Sequence, residues 1–483
     1  MSSASAPRKY AEKEAFVTGH DGTTPLEIFL LLCSVPIGLR LYAKLTSHAS
    51  KRCNWTELAI EFATLVLPNL LLQTSLLPYI TGPIMLHVFM SVLSYILPNC
   101  KQSTNDQANN TNMIINRPAF LTVHRATIYI QTAIAILAVD FPIFPRRYCK
   151  TEVGGYGWMD LGAASFIIMA GWSSSSSATS SSATANKDHL STIKSMKKAV
   201  VKCTPLFLLG IIRLITIKGV EYQEHVSEYG VHWNFFFTLC CVEGSMVAWK
   251  YIKGHCASFT LPWDGILAYS LMLTYQLYLS IVGGQEFIEN GPRQCSSDDD
   301  FTSWSSLCSV FVANREGILG IVGYLSLRLL SESMARYCIW PTVDPSTITK
   351  LRQRRLFMAS MAFWTVHFFL TSILGVPNSR RSTNVPFILW SMAQNTSVLC
   401  LIHVAMTSGG ESAPSAPRIF NSINKFGLPF FFVSNILTGL VNLLLDTIHA
   451  SNAKAMLVLS VYLMVVCALP LLLDKIFDTK KLL

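Results

Sequence analysis

Long apolar runs separated by short polar segments repeat along the whole chain. A helix needs about 20 predominantly apolar residues to cross a bilayer. Counting such runs predicts about 13 membrane-spanning helices, and hence an all-α, polytopic membrane protein. The predicted spans are about 25–45, 56–74, 79–97, 120–139, 156–172, 199–217, 231–249, 263–282, 314–330, 356–374, 385–406, 428–445 and 455–473.

Composition agrees with this interpretation. Of the 483 residues, 51% are hydrophobic and 14% are charged, and the mean hydropathy is +0.40. These values exclude an ordinary soluble enzyme of this length. The net charge of +10 is spread over the loops, so it indicates membrane topology and not nucleic-acid binding.

Loop charge predicts the orientation. Lys and Arg concentrate in the loops after odd-numbered spans and in the C-terminal tail, and positively charged loops stay cytosolic. The N-terminus is therefore predicted to be lumenal and the C-terminus cytosolic. The final Lys480-Lys481-Leu482-Leu483 resembles a dilysine retrieval signal, which favours the endoplasmic reticulum membrane. We expect a polar lumenal segment (1–24), one transmembrane domain (25–473) with a flexible serine-rich cytosolic loop (173–198), and a cytosolic tail (474–483).

The stretch 135–150 combines most of the candidate chemistry. An apolar run stops at Asp140, and Lys150 follows ten residues later, with two prolines and the pair Arg146-Arg147 between them. Proline disfavours helix, so this segment is predicted to be a stiff exit from a membrane helix. Ionisable groups at a lipid–water boundary are costly and usually functional. A helix cap with snorkelling cations is the competing interpretation.

Two further polar clusters lie at predicted lumenal edges. His225 and His232 are seven residues apart and share a face of a helix, but without an HExxH pattern or a third ligand they predict no metal site. Aromatic anchoring and substrate contact both stay open for that segment. Asn314 has the position of a helix N-cap and Glu316 that of a first-turn acid. The positive charge of Arg315 is unfavourable at a helix N-terminus, so we expect Arg315 to pair with a carboxylate or bind a phosphate.

Other polar residues fall inside predicted spans. Glu27 and Glu61 are intramembrane acids and therefore functional candidates. Cys295 and Cys308 share one loop and form the single plausible disulfide of the sequence. One span near the C-terminus has polar or small residues three or four apart on one face, a spacing that favours helix packing slightly over ligand binding. These residues are Asn435, Thr438, Gly439 and Asn442.

The residues alone leave two functions open. The sequence contains no GxSxG motif and no P-loop, so neither a hydrolase elbow nor a soluble nucleotide fold is indicated. A carboxylate with an amine suits removing a hydroxyl proton and steadying negative charge on an acyl carbonyl, and arginines suit phosphates. An enzyme acting on lipids and a lipid or ion transporter are both compatible with this set.

Several segments resemble one known family. They are Ala133-Ile-Ala-Ile-Leu-Ala-Val-Asp-Phe-Pro-Ile-Phe-Pro-Arg-Arg147, Tyr222-Gln-Glu-His225 with Glu228-Tyr-Gly-Val-His-Trp-Asn-Phe-Phe236, Asn314-Arg-Glu-Gly-Ile318, Thr438-Gly-Leu-Val-Asn442, Phe16-Val-Thr-Gly19 and Asp21-Gly-Thr-Thr24. Together they resemble the inositol acyltransferases of glycosylphosphatidylinositol (GPI) anchor biosynthesis, the PIG-W-like family, over essentially the whole chain.

The resemblance implies an endoplasmic reticulum enzyme. It implies transfer of a fatty acyl group, typically palmitoyl, from acyl-coenzyme A as co-substrate to the inositol 2-hydroxyl of glucosaminyl-phosphatidylinositol. The implied partners are that glycolipid, acyl-coenzyme A and membrane lipids, without metal or nucleic acid. A glycolipid transporter or flippase is the alternative, and a non-catalytic receptor for GPI precursors is a third possibility.

The essential Asp and Lys of that family carry over as Asp140 and Lys150. We expect Asp140 to be the general base and Lys150 to stabilise the thioester oxyanion or coenzyme phosphates. His225 is the rival base, because imidazole titrates near neutral pH. Tyr148-Cys149 stands where Phe-Ala is usual, which bears on acyl-chain preference and not on acyl transfer. The residues expected to bind substrate are Arg146, Arg147, His225, His232, Trp233, Asn234, Asn314, Arg315 and Glu316.

Overall fold

The computed structural model describes residues 15–16, 18–47, 54–77, 79–97, 118–180, 200–201, 203–215, 226–255, 262–293, 303–341, 345–407 and 415–482. Over these ranges the chain is helical apart from turns and one isolated β-bridge between Gly22 and Tyr156. The predicted all-α class is therefore confirmed for the described part of the chain.

The chain divides into two compact units. The terminal unit comprises Gly22–Lys150, Tyr156–Gly162 and Gln394–Leu483. The middle unit comprises Met1–Asp21, Thr151–Gly155 and Ala163–Ala393.

The described helices are numbered here in chain order. They are α1 (Pro25–Leu32), α2 (Ser34–Ser47), α3 (Asn54–Glu61), α4 (Leu67–Leu72), α5 (Thr81–Ile96), α6 (Ala119–Ala138), α7 (Leu161–Ser180), α8 (Cys203–Ile215), α9 (Val226–Tyr229), α10 (Phe235–His255), α11 (Trp263–Ile281), α12 (Gly284–Asn290), α13 (Ser303–Ala313), α14 (Arg315–Cys338), α15 (Pro345–Phe368), α16 (Val385–Thr407), α17 (Arg418–Lys425), α18 (Gly427–Leu444) and α19 (Asn452–Leu482). Two π-helical segments, Phe62–Val66 and Phe369–Ile373, follow α3 and α15.

Nine candidate spans in the described residues are long and apolar enough to cross a membrane, and the pair α11 and α12, bent by 70°, forms a tenth. Three more predicted spans coincide with shorter apolar helices, Thr81–Ile96, Leu161–Ser174 and Cys203–Ile215. Every predicted span thus overlaps a helix, but the apolar part of these three in the described residues is shorter than a full crossing requires. The count of about 13 spans and the orientation of the termini stay predictions.

A buried amide joins three helices at the core of the terminal unit. The side-chain oxygen of Asn69 in α4 accepts a hydrogen bond from Ser34 in α2 at 2.9 Å and one from Gln131 in α6 at 2.8 Å. The Asn69 amide nitrogen donates to the Leu65 carbonyl at 2.7 Å. Both polar atoms of the Asn69 side chain are thus hydrogen-bonded within the core. Hydrogen bonds of this kind between polar side chains hold membrane helices together.

Glu61 has a structural role in the same unit. Its carboxylate accepts hydrogen bonds from the backbone N–H groups of Ile419 at 2.7 Å and Phe420 at 3.2 Å. These groups belong to the first turn of α17, where backbone donors lack partners within their own helix. The sequence indicated Glu61 as a functional candidate, and the structure shows its side chain accepting hydrogen bonds from the first turn of a distant helix.

The middle unit is organised around α14. Buried Arg328 and Glu332, one turn apart, form an ion pair of 3.2 Å. Arg336 and Lys250 also approach Glu332, at 2.9 and 3.6 Å. Because charges inside a bilayer are costly unless paired, this cluster fixes the register of α10 against α14.

Replacing Asn69 with Leu should lower the stability of the folded protein. Ser34 and Gln131 would lose their shared acceptor inside the core, at a cost of about 1–2 kcal/mol. Thermal unfolding in detergent measures the effect. Asn435→Leu is the matched control, because Asn435 is exposed and its amide bonds only to Phe431 of its own helix. Equal unfolding temperatures for the two variants would contradict a core role for Asn69.

Candidate active site

The loop from Asp140 to Lys150 begins where α6 ends. The backbone N–H of Asp140 donates to Leu137 at 3.2 Å and that of Phe141 to Ala138 at 3.0 Å, which turns the chain out of the helix. Prolines prevent the helix from continuing. Phe141 and Phe144 are fully buried, so apolar side chains hold the loop against the unit while Asp140 and Lys150 stay half-buried.

Arg146 closes the loop on itself. Its guanidinium donates hydrogen bonds to the backbone carbonyls of Val139 at 3.0 Å, Phe141 at 2.9 Å and Phe144 at 2.9 Å. Burial lowers the pKa of Arg146, and the charge of Asp140 opposes that shift. One planar cation thus binds carbonyls on both sides of the turn. The Arg146 side chain therefore stabilises the shape of the loop.

Arg147 and Tyr148 attach the loop to α1 through Glu27. The Glu27 side chain is fully buried and accepts hydrogen bonds from Arg147 Nη2 at 2.9 Å, Arg147 Nε at 3.1 Å and the Tyr148 hydroxyl at 2.8 Å. The Thr23 hydroxyl donates to the same carboxylate. Burial and the Glu27 charge raise the pKa of Tyr148. Burial alone would lower the pKa of Arg147, but the Glu27 hydrogen bond raises it overall.

Asn442 of α18 orients Asp140. The Asn442 amide donates to Asp140 Oδ2 at 2.7 Å, and the Asn442 side-chain oxygen accepts from the Thr447 hydroxyl at 3.2 Å. This chain fixes which amide atom faces the carboxylate, because the hydroxyl of Thr447 occupies the oxygen. The expected catalytic carboxylate is therefore held from a segment 302 residues away along the chain.

The Cys149 thiol is buried and directly precedes Lys150 in the chain. Burial raises the pKa of this thiol, Arg146 and Lys150 lower it, and Asp160 and Asp140 raise it further. Asp140 and Lys150 therefore both act electrostatically on the Cys149 thiol, in opposite directions.

The chain after Lys150 returns to cover the loop. The Met159 N–H donates to the Tyr148 carbonyl at 3.1 Å, and Asp160 accepts from the Gly157 N–H at 2.9 Å. A Cβ on Gly157 would overlap the Cys149 carbonyl oxygen. Only glycine therefore allows this close approach of two backbones.

The remaining expected substrate-binding residues lie in the middle unit, except that His225 lies outside the described residues. Asn234 is the N-cap of α10, accepting from the Phe236 N–H at 3.0 Å. Trp233 donates to Thr238 at 2.9 Å, and the His232 backbone N–H donates to Asn314 at 2.7 Å.

Asn314, Arg315 and Glu316 begin α14. Asn314 occupies the predicted N-cap position, but its side chain makes no hydrogen bond to its own helix and instead accepts from His232. The expected carboxylate pairing of Arg315 is weak. Its Nε lies 3.9 Å from Glu316 and 3.0 Å from the Ile288 carbonyl that it bonds. Glu316 is fully buried and accepts from Arg293 at 2.7 Å and Arg381 at 2.9 Å.

Sequence reasoning missed several partners of the loop. Glu27 and Asn442 were identified only as intramembrane polar residues, and neither Asp160 nor Thr447 stood out. The sequence shows that these residues are polar and lie in or beside apolar runs. It does not show that they contact the loop, because the contacting residues lie far apart in the chain. Among the residues that the structure describes, no group of three His, Cys, Asp or Glu is placed to hold a metal ion.

The fold and this loop define a multi-span α-helical membrane protein with an ionisable site where a buried helix ends. The chain belongs to the GWT1 family, whose profile matches residues 9–473. It is similar to "GPI-anchored wall transfer protein 1" of Aspergillus oryzae, at 32% identity over 96% of this chain and 97% of the relative.

Two other relatives agree. The proteins of the same name from Aspergillus fumigatus and Candida albicans are 32% and 28% identical, over 97% and 96% of this chain and 98% and 97% of their own lengths. These findings support the GPI-related family expected from the sequence, under the GWT1 name and not specifically the PIG-W-like one.

Replacing Glu27 with Gln should loosen the loop. Arg147, Tyr148 and Thr23 would lose their anionic acceptor, and because Arg147 is 32% exposed we expect a loss of about 2 kcal/mol, less than for a fully buried pair. Trypsin should then cleave faster at the Arg146–Arg147 bond. Glu57→Gln is the matched control, since Glu57 is an exposed acid of the same unit that accepts from Tyr42 at 3.2 Å. Unchanged cleavage in Glu27→Gln would refute the anchoring role.

Proposed function

We propose that this chain is an acyl-coenzyme A-dependent inositol acyltransferase of GPI-anchor biosynthesis in the endoplasmic reticulum membrane. It would transfer a fatty acyl group, typically palmitoyl, to the inositol 2-hydroxyl of glucosaminyl-phosphatidylinositol. The observation that carries the proposal is the loop from Asp140 to Lys150, in which Asn442 holds the Asp140 carboxylate at 2.7 Å and Arg146 closes the turn. Membership of the GWT1 family supports the pathway.

In the proposed reaction the inositol hydroxyl oxygen attacks the thioester carbonyl carbon. Asp140 takes the hydroxyl proton as general base, and Lys150 stabilises the negative charge that develops on the carbonyl oxygen. The carbon–sulfur bond then breaks, the new ester remains on inositol, and the proton held by Asp140 passes to the departing thiolate. No metal is needed for this balance.

Pre-organisation of Asp140 supports its assignment as the base. A hydrogen bond of 2.7 Å from Asn442 fixes one carboxylate oxygen, and Arg146 fixes the backbone on both sides of the residue through Val139 and Phe141. Catalytic groups held in one geometry avoid the entropic cost of finding it. Arg146 and Arg147 contact the protein, so their proposed phosphate contacts would be made through guanidinium N–H groups in addition to these contacts.

A disulfide supports a lumenal location for one loop. Cys308 is disulfide-bonded, and its expected partner, Cys295, lies outside the described residues. Disulfides persist in oxidising compartments such as the endoplasmic reticulum lumen. The loop after the eighth predicted span is therefore proposed to be lumenal, as the charge pattern predicts, and the Asp140–Lys150 loop is proposed to share that side.

The test is acyl transfer in microsomes from cells that lack their own inositol acyltransferase and express this chain. Labelled glucosaminyl-phosphatidylinositol and palmitoyl-coenzyme A are supplied, and an acylated product resistant to phospholipase C is expected. Asp140→Asn and Lys150→Ala should each reduce the rate by about a hundredfold or more. Asp446→Asn and Lys454→Ala are matched controls, because both residues are exposed in the same unit.

Each outcome has a separate meaning. Product from wild type and controls but not from the two site variants supports the reaction and the site. Product from wild type, controls and both site variants supports the reaction and rejects the site. If Asp140→Asn keeps full activity and His225→Ala loses activity, His225 is the base. Absence of product from a well-expressed wild type rejects the enzyme and favours a glycolipid transporter.

Asn442→Leu should reduce kcat by about 10–100-fold, because small displacements of a catalytic group are that costly. KM should change little if Asn442 acts only through Asp140. Asn442→Gln keeps the donor and should recover part of the rate. Asn435 is an exposed residue of the same helix, and Asn435→Leu should leave the rate unchanged. A normal kcat in Asn442→Leu would show that Asp140 needs no such support.

A further inference from the structure

A cavity of about 780 Å³ lies in the terminal unit, between α2, α5 and the C-terminal part of α16. Its size falls in the range of ligand-binding sites, about 300–1,000 Å³. Apolar side chains form much of the wall, including Ile37, Leu401 and Val404. The hydroxyls of Ser91 and Ser94 also line it, so hydrogen-bond donors face the cavity beside the apolar wall.

Two cations of α2 line the same cavity. Arg40 and Lys44 are four residues apart and therefore on one face of the helix. Lys44 donates to the carbonyl of Leu97, where α5 ends, at 3.3 Å. Arg40 makes no hydrogen bond or ion pair to any described residue. A guanidinium within a membrane span usually pairs with a partner or marks a ligand site.

The cavity is remote from the Asp140 loop. Glu27, which contacts that loop, and Arg40 are 13 residues apart in one candidate span, Pro25–Thr46. At 1.5 Å per residue this separation is about 20 Å, most of the thickness of a bilayer. The end of the cavity that Arg40 and Lys44 line is therefore about 20 Å along this span from the residue that contacts the Asp140 loop.

The surface beside the cavity is apolar and exposed. Phe89, Val92 and Ile96 of α5 are exposed apolar residues, and Tyr95, which lines the cavity, is 90% exposed. A ligand bound here can place an anionic group on Arg40 and Lys44 and an acyl chain along this surface. Soluble phosphate would satisfy only the cations.

We infer that this cavity binds the phosphate headgroup of an acidic glycerophospholipid, with Arg40 and Lys44 as the phosphate contacts and the wall of Ile37, Leu401 and Val404 against the acyl chain. The charge pattern supports the assignment, since anionic lipids of the cytosolic leaflet attract basic side chains at the membrane edge. The inference is independent of the acyl-transfer reaction because its readout is lipid binding.

The test is native mass spectrometry of the purified full chain released from phosphatidylcholine nanodiscs with and without phosphatidylserine. We expect one phosphatidylserine to remain bound, and Arg40→Gln with Lys44→Gln to weaken its retention about tenfold, as loss of charge-assisted contacts predicts. Ala405→Phe, which fills the cavity without changing charge, should have the same effect. Lys350→Gln with Arg354→Gln is the matched control, a pair with the same spacing on exposed positions of α15.

Retention that depends on Arg40, Lys44 and the cavity volume but not on the control pair supports the site. Equal retention in all variants, or displacement by inorganic phosphate alone, overturns it. Palmitoyl-coenzyme A is added in a separate arm. Retention of palmitoyl-coenzyme A but not phosphatidylserine at these residues would show that the acyl donor, and not a membrane phospholipid, occupies the cavity, and would overturn the assignment to phospholipid.

Discussion

The buried carboxylate of Glu27 is the constraint on which the site depends. A charge without water must be neutralised and hydrogen-bonded, and in this unit Arg147, Tyr148 and Thr23 do so together. The loop that carries Asp140 cannot move from α1 without leaving that carboxylate exposed to an apolar interior. Tyr148 contributes a hydroxyl donor to the same carboxylate at 2.8 Å.

Short-range pattern was enough to predict much of the fold. Apolar runs of adequate length must become helices in lipid, since backbone groups have no other partner there, and every predicted span overlaps one. The stiff exit at Asp140 was likewise predictable from its prolines. The length of each crossing was not, because the apolar parts of α5, α7 and α8 in the described residues are shorter than the predicted spans.

The partners of the site were harder to predict for a physical reason. Glu27 and Arg147 are 120 residues apart, and Asp140 and Asn442 are 302 apart, so no local rule relates them. Asn442 fitted a packing face as well as a ligand face, and the structure shows its amide donating to Asp140 at the end of another helix. Arg146 was expected to bind phosphate from its charge alone, whereas the three carbonyls that surround it depend on the folded turn.

The hydrogen bonds of Arg146 to Val139, Phe141 and Phe144 change how natural variants of this family should be interpreted. The guanidinium carries its donors on three nitrogen atoms spread over one plane, whereas a lysine has all of its donors on a single nitrogen atom. A lysine at position 146 would keep the charge of the loop and lose its shape. Charge conservation in this motif is therefore a poor guide to function, and a substitution scored as mild from chemical similarity would be a severe one here.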